Sequence, residues 1–451
     1  MLFHRDVPPA RVRFFAKYVA LVGVCCVSQS ASWLEAARAE TSSQEISRAK
    51  VAPSKTLRAK EARHTNLKKA KNIFVYIGTY TDKDSASKGI YVYRLDAETG
   101  KLHFTGQSAL TPNPSFLAIS PNGRNLYAAN EVSEVSPRSG AGVSAFAIDA
   151  QNGALKFLNW QSSRGAGTCY VAVAPQGNLV AAANYSDGSV AAYRVLDNGS
   201  LRAASFFEKY SAAPQNLATP KVTTPKVTTP NVTVQNVTPP KNSYAHSFTF
   251  DASGRFAFVC DLGLDRIVGY KIEPKSARIT PNTPPFLAMR AASGPRHFAF
   301  HPSQKFAYSS NELDSSVSAF LFDAAKGALR ETQHISTLPP NFSGENSCAD
   351  VHLSPDGRFL YASNRGHNSL AIFVINPKNG HLTLVAHVPT RGKKPRSFAL
   401  DASGKFAIVA NQNSNNLVIF RRDAQSGLLS PTGQIVEVPS PVCVRFGREA
   451  K

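Results

Sequence analysis

Neither a Gly-x-Ser-x-Gly elbow nor a Cys-x-x-Cys pair occurs in the 451 residues of this chain. The first absence removes the strained strand-to-helix serine used by many hydrolases; the second leaves the cysteines without metal-ligand or redox spacing. His, Asp and Glu form no tight ligand pattern either, so no metal and no cofactor are expected. Acidic residues are scarce, with 30 Asp and Glu against 51 Lys and Arg, a formal net charge of +21. Part of that excess lies in Arg48, Lys50, Lys55, Arg58, Lys60, Arg63, Lys68, Lys69 and Lys71. A basic tail can hold nucleic acid by charge alone, but no aromatic interleaving or nucleic-acid motif accompanies this one, so a solvated tail without such a partner is expected. Long hydrophobic runs are also lacking. Residues 18–27 are apolar but too few to make a stable membrane span.

That short run does fit another pattern. Arg5, Arg11, Arg13 and Lys17 precede it and small residues follow through Ala31 and Ser32, the order of a secretory leader. Residues 1–32 are therefore read as a signal peptide and 33–71 as a basic flexible tether. The expected location is periplasmic or secreted, and cytoplasmic if the leader is not cleaved. Beyond the leader stand Cys169, Cys260, Cys348 and Cys443, all within strand-like runs, where buried free thiols are the expectation.

From residue 73 to 446 one two-hairpin unit recurs. Its first corner reads Ser120-Pro121-Asn122-Gly123-Arg124, Asp251-Ala252-Ser253-Gly254-Arg255, Ser354-Pro355-Asp356-Gly357-Arg358 and Asp401-Ala402-Ser403-Gly404-Lys405, with copies at Ala174 and His301. Each corner leads into an apolar run ending at Asn130, Asn184, Asp261, Asn311, Asn364 or Asn411. A second hairpin turns on Gly-x-Leu, at Gly100, Gly153, Gly199, Gly327, Gly380 and Gly427, with residues 276–278 as a degenerate copy. Four short strands per unit, repeated, are the signature of a β-propeller. There are seven outer hairpins but six complete inner ones. Residues 441–446 and 73–80 supply the missing inner pair, which removes two sheet edges. An all-β, seven-bladed propeller over residues 72–446, with a closing blade shared between the N- and C-terminal strands and a short tail at 447–451, is expected. Residues 214–242 repeat Lys-Val-Thr-Thr-Pro; proline at that frequency excludes a central strand, so they form an insertion loop that enters just before His246.

Counting along the hairpins locates a candidate site. The first inner strand begins about five residues before its corner and the second ends about six after it, so both ends reach one face of the ring around the axis. That face gathers His246, Arg296, His297, Glu312, Asp350, Arg365 and Arg396, with Glu131 nearby. Several guanidiniums around one channel repel each other unless anions compensate them. Such a cluster suits a carboxylate or phosphate substrate, while His246 and Glu312 can supply acid–base chemistry.

Gly294-Pro295-Arg296-His297-Phe298-Ala299-Phe300-His301-Pro302 with Tyr308-Ser309-Ser310-Asn311-Glu312-Leu313-Asp314 resembles the seven-bladed lactonase family of 6-phosphogluconolactonase and carboxy-cis,cis-muconate cyclase. Asp350-Val351-His352-Leu353-Ser354-Pro355-Asp356-Gly357-Arg358, Asn364-Arg365 and Tyr76-Ile77-Gly78-Thr79-Tyr80 extend the resemblance over residues 73–446. The resemblance implies catalytic roles for His246, Arg296, Glu312 and Arg365; the other members of the counted face, His297, Asp350, Arg396 and Glu131, are the substrate-binding candidates. Where relatives often carry a Cys-His pair, this chain has Cys169-Tyr170.

The activity so implied is hydrolysis of a sugar-acid lactone, water attacking the ring carbonyl under Glu312 or His246 while Arg296 and Arg365 clamp the oxyanion or an anionic substituent. Two alternatives stay open: a lactone-forming muconate-type cycloisomerase and a non-catalytic exported binding propeller. The expected partner is one small anionic lactone, and since the ring closes on itself a monomer is expected.

Overall fold

The computed structural model describes residues 72–82, 85–135, 140–211 and 242–449. The leader, the tether and nearly all of the 214–242 insertion lie outside the described residues. What is described is seven antiparallel sheets of four strands each. Blades 1 to 6 occupy residues 114–162, 168–209, 245–288, 295–336, 348–389 and 395–437. The seventh joins Pro441–Glu449 to Asn72–Thr79, Ile90–Asp96 and Leu102–Ala109.

Local chemistry explains each hairpin. At four inner corners, those of Ser120, Asp251, Ser354 and Asp401, the first side chain of the motif bonds the backbone that re-enters the sheet: Asp401 Oδ1 accepts from Phe406 N at 2.7 Å, and Ser354 Oγ accepts from Phe359 N at 3.0 Å. Short Asp and Ser side chains favour such turns. At the outer corners a tyrosine hydroxyl reaches across to the next blade. Tyr76, Tyr127, Tyr308 and Tyr361 donate to the carbonyls of Gly153, Gly199, Gly380 and Gly427 at 2.8 to 3.1 Å. Gly380 has φ +75°, and a Cβ there would lie 2.5 Å from the Phe306 ring, so both conformation and space require glycine.

In blades 2 to 6 the second strand of the inner hairpin, for example Phe306–Asn311, is buried at every residue. Alternation in these runs therefore does not mark an inside and an outside, because each blade is covered on both faces by its neighbours. Aromatic and branched side chains fill the gaps, as Phe359, Tyr361, Phe398, Val409 and Phe420 do between blades 5 and 6. Each such side chain contributes about 1.5–3 kcal/mol of burial.

The ring closes as the repeat count requires. Pro441–Glu449 runs antiparallel to Asn72–Thr79, with Val444 opposite Ile77 and Cys443 opposite Gly78. This strand continues to Glu449, three residues beyond Phe446. All four cysteines after the leader are free and buried. The Gly380→Ala variant should lose roughly 3 kcal/mol through the left-handed backbone and the crowded Phe306 contact, read as a lower midpoint in urea; an unchanged midpoint would remove the inter-blade latch from this account.

Candidate functional site

The site begins with a repeated irregularity. Where each innermost strand starts, the ladder slips by one residue, leaving Ser115, Cys169, His246, Arg296, Arg396 and Val442 as bulges. In blade 5 the slip takes in both Ala349 and Asp350. Bulges re-aim side chains out of the pleat. Residues from five blades, among them Ser115, Cys169, Arg296, Arg396 and Val442, consequently line one void on the ring axis. It measures about 10 Å³, scarcely one water, so these side chains form a closed floor.

Above the floor lies a second ring. One residue past the polar residue at the mouth end of each inner hairpin (Thr79, Asn130, Asn184, Asp261, Asn311, Asn364 and Asn411), a backbone N–H returns to a carbonyl just before the first strand. Tyr80, Glu131, Tyr185, Leu262, Glu312, Arg365 and Gln412 donate to Ser440, Asn113, Gly167, Tyr244, Gly294, Ser347 and Lys394 at 2.7 to 3.1 Å. Seven identical tethers fix seven side chains around the mouth. Each is anchored below by a buried polar residue; Asn364 Nδ2, for instance, donates to Thr337 O at 2.8 Å.

Floor and mouth meet in an ion cluster. Glu312 Oε2 lies 2.7 Å from Arg296 Nε and 2.8 Å from Arg365 Nη2. The Arg296 Nε–H is not aimed along that line, so that contact is chiefly coulombic, whereas Arg365 also donates to Cys348 O. On the other side Arg396 Nη2 stands 3.5 Å from Glu131 Oε2, which accepts from Tyr80 Oη at 2.9 Å. Three guanidiniums thus face two carboxylates, an excess of one positive charge. Arg296 side-chain exposure is 2 %, while Arg365, Arg396, Glu312 and Glu131 keep 11 to 22 %.

Protonation follows from these surroundings. Burial works to raise the Glu312 carboxyl, but Arg365, Arg296 and Arg396 outweigh it and hold the group below the ordinary Glu range. Arg365 is pulled down to about 10, first by burial, then by Arg296 and Arg396 against the opposing pull of Glu312. His246 is lowered well below 6.5 by burial and by Arg296. His297 is lowered to about 3 by burial and Arg296. Both rings are neutral at pH 7.

Neutral His297 is held in one orientation. Its Nδ1 meets Asp350 Oδ1 at 2.8 Å and its Nε2 meets Arg296 Nη1 at 3.1 Å. A guanidinium can only donate, so Nε2 accepts and the proton sits on Nδ1, facing Asp350. The other Asp350 oxygen takes Ser397 Oγ at 3.0 Å and lies 3.2 Å from His352 Nε2. His246 packs edge-on against His297 at 5.3 Å, with Nδ1 3.8 Å from Cys169 Sγ.

All eight residues anticipated from the sequence lie in this one assembly. Six of them, His246, Arg296, His297, Glu312, Asp350 and Arg365, are linked contact by contact; Arg396 joins through the floor and Glu131 through Arg396. Asp350 and His297 lie deeper than substrate-binding groups would. Asp350 is 2 % exposed with both oxygens engaged, and it orients His297. Sequence reasoning passed over Tyr80 and Tyr185 as site residues. Both occupy the position of Glu312 in their own blades, so the same count identifies them once Thr79 is recognised as the closing blade's strand end. Among the described residues no group of His, Cys, Asp or Glu is placed to hold a metal ion.

The model of the family described as "Lactonase, 7-bladed beta-propeller" matches residues 74–446. The chain belongs to this lactonase family. A Bacillus subtilis 6-phosphogluconolactonase is 34 % identical over 82 % of this chain and 97 % of its own length. A Formosa agariphila 6-phosphogluconolactonase is 34 % identical over 80 % and 95 %. Among solved structures, the Pseudomonas aeruginosa periplasmic gluconolactonase superposes with a TM-score of 0.74 at 32 % identity, covering 84 % of this chain and 99 % of that one.

The buried neutral rings have a pH signature. An unfolded chain protonates imidazole near 6.5, whereas the fold holds His297 neutral down to about 3. Stability from these rings is therefore complete above pH 6.5 and declines as the pH falls from 6.5 toward 3. Thermal midpoints at pH 7.5, 6 and 5 should fall in that order. Asp350→Ala, which strands His297, His352 and Ser397, should cost about 3 kcal/mol at pH 7.5; a wild-type midpoint would contradict the orienting role.

Proposed function

We propose that this protein hydrolyses a sugar-acid lactone at the channel mouth. The observation that carries the reading is Glu312 shared between Arg296 and Arg365, with Arg396 beside them, above a tightly packed floor. Guanidiniums held in place before the reaction stabilise charge that develops on a carbonyl oxygen without reorganising, and a dry site strengthens them.

The residues divide the work. Glu312 is a weak base, because two guanidiniums hold its carboxylate; its task is to keep Arg296 and Arg365 converged. His246 is neutral and buried at the floor, and its Nε2 meets no protein partner among the described residues, so it is suited to take a proton from the attacking water. Water adds to the ring carbonyl, Arg296 and Arg365 receive the oxyanion, the carbonyl–ring oxygen bond breaks, and a hydroxy acid results. Asp350 and His297 keep Arg296 in place from below.

The leader-like first 32 residues and the likeness to a protein described as a periplasmic gluconolactonase favour an exported enzyme acting on an unphosphorylated lactone. The likeness to 6-phosphogluconolactonases keeps the phosphorylated lactone in the comparison.

Acid release from freshly prepared glucono-δ-lactone and 6-phosphoglucono-δ-lactone, corrected for spontaneous opening, tests this. The wild-type chain should accelerate at least one, and Arg296→Ala or Glu312→Ala should lower kcat/KM by about 10²-fold or more. Unchanged rates in both variants would move the site elsewhere, and turnover of a cis,cis-muconate with neither lactone opened would favour the cycloisomerase. Because His246 is depressed, kcat/KM should stay level as the pH falls through 6.5 and drop only below it; a limb centred near 6.5 would mark a solvated base instead.

A further inference from the structure

Opening a lactone requires more than a base and an oxyanion clamp. The ring oxygen leaves as an aliphatic alkoxide, a far stronger base than water at neutral pH, and expulsion is slow unless a proton reaches it as the bond breaks. Before water attacks, none of the residues assigned above has a proton free to give. The imidazoles are neutral with their roles taken, Glu312 is ionised, and the guanidiniums are committed to the carboxylates and the oxyanion.

Tyr185 meets this need. It stands in the mouth ring at the position that Glu312 and Arg365 hold in blades 4 and 5, anchored by its N–H to Gly167 O at 2.8 Å. Its ring stacks on Tyr244 with centroids 4.9 Å apart and lies edge-on to His246 at 5.3 Å. Those two contacts fix the plane of the phenol beside the base. Its hydroxyl feels the charges of Glu312 and Arg296, and burial pushes the group up to about 12, so it is protonated at neutral pH. Tyr80, the other tyrosine of the mouth ring, donates to Glu131. The Tyr185 hydroxyl has no hydrogen-bond partner among the described residues. An oriented, protonated and unengaged phenol beside a base and an oxyanion clamp is what a departing alkoxide requires.

We propose that Tyr185 is the proton donor to the lactone ring oxygen, a catalytic role that rests on the lactonase reading given above. The attacking water gives one proton to His246 as its oxygen bonds the carbonyl carbon. The tetrahedral intermediate collapses, the carbon–ring oxygen bond breaks, and that oxygen takes the Tyr185 proton to become the product hydroxyl. The proton on His246 then passes to the neighbouring tyrosinate, which restores both groups. The sum is one water consumed and one hydroxy acid formed, whose carboxyl proton is released to solvent.

Tyr185→Phe in the full-length chain isolates the hydroxyl while keeping the ring that packs on Tyr244 and His246. On whichever lactone the wild type opens, kcat should fall roughly 10²-fold, the low end for general acid catalysis. KM should stay within about twofold and the thermal midpoint should hold, because the lost group acts only in bond breaking. The solvent deuterium isotope effect on kcat should change in the variant. A kcat within twofold of wild type would overturn the proposal, as would a raised KM at constant kcat, which would make Tyr185 a wall of the pocket. If the wild type opens no lactone, the lactonase reading fails first and this assignment with it. If Tyr185→Phe matches the wild type while Arg296→Ala does not, only the donor assignment is lost.

Discussion

Closure of seven blades around one axis places the starts of seven innermost strands opposite each other, with a void of only about 10 Å³ between side chains from five of them. Everything at the site follows from that crowding. Side chains aimed inward by the bulges at Cys169, His246 and Arg296 are almost wholly withdrawn from bulk water, and Arg396 keeps only a small exposed part. Any charge among them must be answered by another protein group or left off. The ring obtains this closure by pairing its two ends, Pro441–Glu449 against Asn72–Thr79, so an intact site depends on both termini of the propeller.

The charges are answered in two ways. Arg296 and Arg365 share Glu312, and Arg396 has Glu131 and the Tyr80 ring. The histidines instead give up their charge, and Asp350 orients His297 from beneath. The result is a mouth with one positive charge in excess, resting on a tightly packed floor whose imidazoles His246 and His297 are neutral. An anionic or strongly dipolar carbonyl substrate completes the neutralisation, and the stability the cluster sacrifices in isolation is recovered when one binds. The same crowding that makes the cluster costly makes it preorganised.

Most of the fold and much of the site could be read in the sequence, for identifiable reasons. Corner motifs such as Asp401-Ala402-Ser403-Gly404 are legible because side-chain-to-backbone bonds need those residue types. With the corners placed, a count of five residues finds His246, Arg296 and Arg396, because every innermost strand has the same length up to its bulge. Blade 5 breaks that count, since its bulge spans two residues, and Asp350 therefore goes to His297 and not to the mouth. Tyr80 was obscured because the closing blade has no corner to count from and ends its strand on Thr79 where the others have Asn or Asp. The neutrality of His297 could not be read at all, since it arises from Arg296 and burial together. Pairing of Arg365 with Glu312 depends on how far two side chains reach between neighbouring blades, which no spacing rule encodes.

The central claim is that a lactone carbonyl is received at the mouth by Arg296 and Arg365. A crystal structure of the full-length protein with gluconolactam, whose amide replaces the hydrolysable ester, tests it most directly. The account predicts the lactam carbonyl oxygen within about 3 Å of a guanidinium nitrogen of Arg296 or Arg365, with the sugar ring over the His246 and Tyr185 side of the mouth. A lactam seated elsewhere on the propeller, or facing Arg296 and Arg365 only with its hydroxyls, would contradict it.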